Sequence, residues 1–273
     1  MTIGATGGTV RAMPEPELLE DQRGSARWLQ INRPAQRNSL TPALLLLLRD
    51  ALTRAERDPE VRAVCISGAG DKAFCAGADL GSAAGGEGGL LAAHELRREY
   101  SGLLLDLWRL EKPVVACVNG AALAGGLGLL CACDLAIAAD DARFGTPEID
   151  VGLFPYMALA PLRRCIGRRA ALELVMTGKK IDAAEAARIG LINRAVPRAQ
   201  LAEAASALLE SLCGKSPAVL RLGRRAFNFT EDLPYEAQLE ALAAQLSLNA
   251  LADDAREGVS AFLEKRKPEW KGR

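Results

Sequence analysis

The stretch KPVVACVNGAALAGGLGLLCACDLAIAADDARFGTPEIDVGLFP, residues 112–155, decides the fold. Pro113–Val118 is a short apolar strand. Ala124–Cys133 consists of small and apolar residues all round, so the spacing predicts a buried helix. Leu135–Ala138 is a second strand. The segment closes on one carboxylate, Glu148, set between Pro147 and an apolar run.

Upstream, strands are expected around Glu17–Glu20, Ala26–Asn32 and Val61–Ser67. Thr41-Pro42 starts a helix through about Arg57, because Thr caps well and Pro is tolerated at the first helical position. Phe74–Leu80 reads as a bend of small residues, and Gly81–Gly89 (GSAAGGEGG) as a mobile loop. Helical spacing resumes over Leu90–Leu110. Beyond Pro155 the pattern is mostly helical. Asp182 and Glu185 form a capping box, Gly190 stops that helix, and Ser216-Pro217 opens another. The reading is a single α/β domain over residues 1–198 with a helical C-terminal region over residues 199–273.

Bulk properties exclude several classes. Lys plus Arg equals Asp plus Glu, 34 each, so the basic excess of a nucleic-acid binder is missing. The seven Cys are odd in number and sit mostly in apolar runs, as buried free thiols do, and Cys131-Ala132-Cys133 lacks a partner pair at zinc spacing. No metal and no cofactor are expected. No apolar run has the length and freedom from charge of a membrane span, and residues 1–17 lack a signal-peptide core, so the chain reads as cytoplasmic.

Two segments have the composition of backbone-donor sites. Cys75-Ala76-Gly77-Ala78 lets a ligand approach the main chain. Ala124-Gly125-Gly126 stands at a helix start, where N–H groups lack internal partners. One N–H from each can grip a carbonyl oxygen on which negative charge develops; the competing reading is that these glycines only permit tight packing. Glu148, beside apolar residues, suits a general base or acid. Asp150 points the same way if the segment is extended, although a turn or surface role fits it better. His94, the only histidine, sits among charged residues on a helix and reads as solvated.

Taken together, LQINRPAQRNSL (29–40), AFCAGADL (73–80), residues 112–129 and 133–155, TGKKIDAAEAARIGLINRAVP (177–197) and EGVSAFLEKRKPEW (257–270) resemble the crotonase superfamily, the enoyl-CoA hydratase/isomerase family. The resemblance implies a crotonase-like ββα superhelix core with a C-terminal helical trimerisation region, assembled as a homo-oligomeric trimer or dimer of trimers. It implies an acyl-CoA thioester substrate, with Ala76 and Gly125 supplying the oxyanion-hole N–H groups. The CoA arm is expected along Gln36, Arg37, Ala76, Ala78, Asp79 and Leu80, with Phe262 and Lys265 reaching a neighbouring subunit's CoA.

One departure bears on the reaction. Two-glutamate hydratases of the family carry an acid in the GGxE part of the Gly-rich helix, where this chain has Gly128. A single acid at Glu148 resembles the family's isomerases and favours double-bond isomerisation. Tyr156 stands where some relatives place a catalytic Asp. The alternatives are a 2-enoyl-CoA hydratase whose water is oriented by Tyr156, Asp150 or Glu87, and a non-catalytic acyl-CoA-binding scaffold.

Overall fold

The computed structural model describes residues 15–78 and 89–273. The described residues open with a hairpin, β1 (Leu18–Arg23) and β2 (Ala26–Ile31), turned by Gly24 at φ +57°. Helix α1 (Pro42–Arg57) begins where expected: the Thr41 hydroxyl accepts from Leu44 N–H at 3.1 Å. Then come β3 (Ala63–Gly68), β4 (Ala73–Cys75) and α2 (Gly89–Arg109). The 112–155 segment supplies β5 (Val114–Val118), β6 (Ala121–Leu123), α3 (Gly125–Cys131), β7 (Leu135–Ala139) and β8 (Arg143–Gly145). Next are α4 (Tyr156–Cys165), α5 (Arg168–Thr177), β9 (Lys180–Asp182), α6 (Ala183–Arg188) and β10 (Arg194–Val196). Four helices finish the chain: α7 (Leu201–Cys213), α8 (Pro217–Thr230), α9 (Tyr235–Ala250) and α10 (Asp253–Leu263).

A long strand, a short strand and a helix recur in order. The strands of five or six residues form one sheet with three-residue β10 at its edge, β1-β2-β3-β5-β7-β10, parallel except for the first pair; the other short strands form a second, β4-β6-β8-β9. This is the ββα architecture expected. The short strands escape a reading by periodicity because three residues carry no pattern. In the long sheet side chains alternate between two apolar layers. Val64, Ile66, Val114, Ala116 and Val118 join the main core with α1 and α2. Cys65, Val115, Cys117 and Ile137 face Leu201, Ala205 and Leu209 of α7. Helix α7, at the start of the region set apart at 199, therefore packs on the sheet.

The 3-10 turn Pro147–Val151 replaces the extended segment considered for Glu148 and Asp150. A 3-10 turn rotates about 120° per residue, so the two side chains diverge; Asp150 is exposed and lies against Gly178. Helix α3 is shorter at both ends than expected, starting after Ala124 at φ +54°. Leu239, Leu242 and Leu246 are 51%, 37% and 71% exposed, so the chain's own core does not cover them. Buried Asp254 pins the C-terminal tail, accepting from Ser216 Oγ and Lys271 N–H at 2.6 Å each. All seven cysteines are free. Among the described residues no helix is long and apolar enough to cross a membrane, and no group of side chains could hold a metal.

Candidate active site

Strands β4, β6 and β8 run parallel, with Cys75 opposite Ala122 and Leu123 opposite Gly145. Their C-terminal ends therefore emerge together. Residues 76–78 leave β4, Ala124-Gly125 leaves β6, and Thr146-Pro147-Glu148 leaves β8. Ala124 N–H ties the last two, donating to Gly145 C=O at 2.9 Å. The two donor segments and the carboxylate, far apart in sequence, are thus set side by side by strand pairing.

The donor assignment needs one correction. Ala76 N–H donates to Arg37 C=O at 3.1 Å and is used up in the fold. Leu40 N–H donates to Gly77 C=O at 2.8 Å, so residues 37–40 and 76–77 are laced together. Ala78, not Ala76, presents its nitrogen beside the helix start: Ala78 N lies 3.7 Å from where a Cβ on Gly125 would stand. Among the described residues neither Ala78 N–H nor Gly125 N–H has a hydrogen-bond acceptor. Gly77 between them has φ +94°, and a side chain there would meet Ala124 Cβ at 2.6 Å. Nor is there room at Gly126, where a Cβ would fall inside contact distance of Cys75 C=O. Ala124 holds φ +54°, ψ −128°, a glycine-like conformation that costs a side-chain-bearing residue roughly 1–3 kcal/mol. Strain of this kind is retained where a backbone has to be aimed.

Glu148 is half-buried, and its Oε2 is enclosed without a hydrogen-bond partner among the described residues. Burial raises its pKa above the usual carboxylate value, with its own backbone N–H pulling weakly the other way. The turn carrying it is fixed by Thr146, whose hydroxyl donates to Leu174 C=O at 2.9 Å. Cys75 offers no competing nucleophile, since burial pushes its thiol up to about 12.

At Gly128 the structure shows what stands in place of a second acid. A Cβ there would collide with Tyr100 Oη of α2 and lie 3.0 Å from Ala158 Cα of α4. Tyr100 is 7% exposed and donates to Gly125 C=O at 2.5 Å. Sequence reasoning passed over this residue. The available signal was its phase, because Tyr100 shares the inward face of α2 with Ala93, Leu96, Leu103 and Leu107.

Gln36 and Arg37 lie beside the donor segment through the Arg37–Ala76 bond, and both are exposed. Asp79, Leu80, Glu87 and the Gly81–Gly88 part of the loop fall outside the described residues. Phe262 is exposed on α10, whose contacts are with α8 and α9, and Lys265 follows it. Neither is brought to the site within one chain. Tyr156 is 75% exposed at the start of α4, its ring centroid 5.1 Å from that of Phe154. His94 is exposed on α2, as expected.

Comparison with known proteins agrees with this arrangement. The family model described as enoyl-CoA hydratase/isomerase matches residues 22–273. A crotonyl-CoA hydratase of Syntrophomonas wolfei is 38% identical over 88% of this chain and 92% of its own. A putative enoyl-CoA hydratase of Thermus thermophilus is 35% identical over 93% of this chain and 100% of its own. The crystal structure of an enoyl-CoA hydratase from Mycobacterium smegmatis superposes with a TM-score of 0.89 at 37% identity, covering 94% of this chain and 99% of that one. With the fold, the paired donor segments and the strand-end carboxylate already in place, a match of this extent shows that the chain belongs to the enoyl-CoA hydratase/isomerase family.

Proposed function

We propose that this enzyme moves a double bond in an acyl-CoA thioester by one-base chemistry, with Glu148 as the proton carrier. The observation that carries the reading is the enclosed, unpartnered Oε2 of Glu148 at the strand ends. On a 3-enoyl-CoA, the Glu148 carboxylate takes a proton from C2. The electron pair moves onto the thioester oxygen, giving a dienolate held by Ala78 and Gly125 N–H. The same carboxyl then returns the proton to C4, leaving a 2-enoyl-CoA. Proton and charge balance without a second acid. Gly125 keeps its expected role, and Ala78 takes over that of Ala76.

The CoA arm runs along Gln36, Arg37 and Ala78, with Asp79 and Leu80 beyond. Phe262 and Lys265 act from a neighbouring subunit of a trimer or dimer of trimers. The exposed apolar faces of α8 to α10 support that assembly.

Hydration of a 2-enoyl-CoA is the second reading, favoured by the hydratase names of the relatives. It requires a group other than residue 128 to hold the water. Turnover of matched 3-enoyl- and 2-enoyl-CoA esters decides the matter. Faster isomerisation supports the one-base reading, faster hydration overturns it, and tight binding with no turnover points to the scaffold.

A further inference from the structure

We propose that Tyr100 is the positioning residue that makes this a one-carboxylate site: its hydroxyl fills the volume of a side chain at position 128 and holds the Gly125 turn. The inference rests on the one-base reading above and adds the residue that enforces it.

Three observations converge on the phenol. A buried hydroxyl needs a partner, and Tyr100 Oη finds Gly125 C=O at 2.5 Å, the carbonyl of a proposed oxyanion donor. That same oxygen stands inside contact distance of a Cβ built on Gly128, and the next atoms met belong to Ala158 at 3.0 and 3.3 Å. The Tyr100 ring lies no nearer than these, so the obstruction from α2 is the hydroxyl. Third, burial, together with the Glu148 carboxylate and neighbouring thiols, keeps the phenol from ionising, so it remains a neutral donor. A carboxylate at position 128 and the water it would hold are excluded, while the turn that aims Gly125 is braced from behind.

A thermal cycle tests the volume claim without reference to activity. Gly128→Ala should lower the melting temperature by about 3–10 °C, the effect of overpacking in a chain of this size. In a Tyr100→Phe background the same change should cost less than half as much, because the obstructing oxygen is gone. Equal cost in both backgrounds, or no cost in either, overturns the assignment.

Kinetics test the bracing. Tyr100→Phe should lower kcat by about 3–10-fold with KM for the thioester within about 2-fold, because a binding surface is kept while an oxyanion donor loses its support. An unchanged kcat overturns that part. Gly128→Glu alone should gain no hydration, whereas Tyr100→Ala with Gly128→Glu should hydrate at least about 10-fold faster than wild type, within the range acid–base catalysis supplies. A folded double variant without that gain, or an equal gain from Gly128→Glu alone, overturns the exclusion role. A wild type that hydrates faster than it isomerises sinks the one-base reading but leaves the thermal cycle to decide Tyr100.

Discussion

Of the seven residues of α3, six are buried, whereas α9 buries none of its sixteen. Both helices are rich in Leu, yet their apolar content serves different ends. In α3 it is used inside the chain, so tightly that Gly126 and Gly128 leave no room for a methyl group. In α9, Leu239, Leu242 and Leu246 fall at i, i+3 and i+7 and face outward. A packed interior surrounds the chemistry, and an apolar surface waits at the other end of the chain. Leucine content does not distinguish the two; the three glycines of α3, absent from α9, and the neighbouring elements do.

The largest expected effect attacks the packed region at its chemical centre. Glu148→Gln should lower kcat by about 10²–10⁴-fold, the range for lost acid–base catalysis, with CoA-ester binding nearly unchanged. Its stability should move the other way. The folded pKa is raised, so ionisation of the buried carboxylate opposes folding, and the penalty appears as pH rises from the ordinary carboxylate value through the folded one. At about pH 4 the variant and wild type should melt together, and at about pH 8 the variant should melt higher. In wild type the acid limb of kcat/KM should lie above the usual glutamate range. A limb at the unperturbed value removes burial from the mechanism.

The outer region is tested by charge. Leu239→Glu with Leu246→Glu should weaken self-association by about 100-fold or more if these residues anchor an interface. Light scattering at micromolar concentration reads the result, and a wild type that is already monomeric breaks the comparison. Gly126→Ala should cost about 1–3 kcal/mol by overpacking against Cys75 C=O, seen as an earlier denaturant midpoint. Smallest of all, Ala124→Gly should stabilise by about 1 kcal/mol through relief of the positive-φ conformation. A loss there would mean that the alanine methyl packs for more than its backbone costs.

Much of this was legible because local chemistry and global fold agree. Thr41-Pro42, Asp182 with Glu185, and Ser216-Pro217 all start helices in the structure, since side-chain capping is a property of a few adjacent residues. Strand β5 was visible as a β-branched apolar run. Strands β4, β6 and β8 were not, because three residues pair only when the surrounding sheet presents them. The site suffers from the same limit. Glu148 and Gly125 stand out by their neighbours in sequence. The exchange of Ala76 for Ala78 depends on which N–H the Arg37 carbonyl claims, a contact across 39 positions that no local pattern records. Tyr100 lies 28 residues before the glycine whose space it shares.

The contact of Tyr100 with Gly128 also carries an evolutionary consequence. On the role proposed for Tyr100, a chain built this way does not gain a working second acid in one step, because the first atom of the new side chain meets a hydroxyl that reaches over from α2 and is bonded to Gly125 of the same helix as Gly128. The order of changes is constrained. The tyrosine must go first, at some cost to the turn it supports, before position 128 is open to selection. The proposed one-base site and a two-acid site on this fold are then at least two substitutions apart, and residues 100 and 128 should vary together among descendants of such a chain.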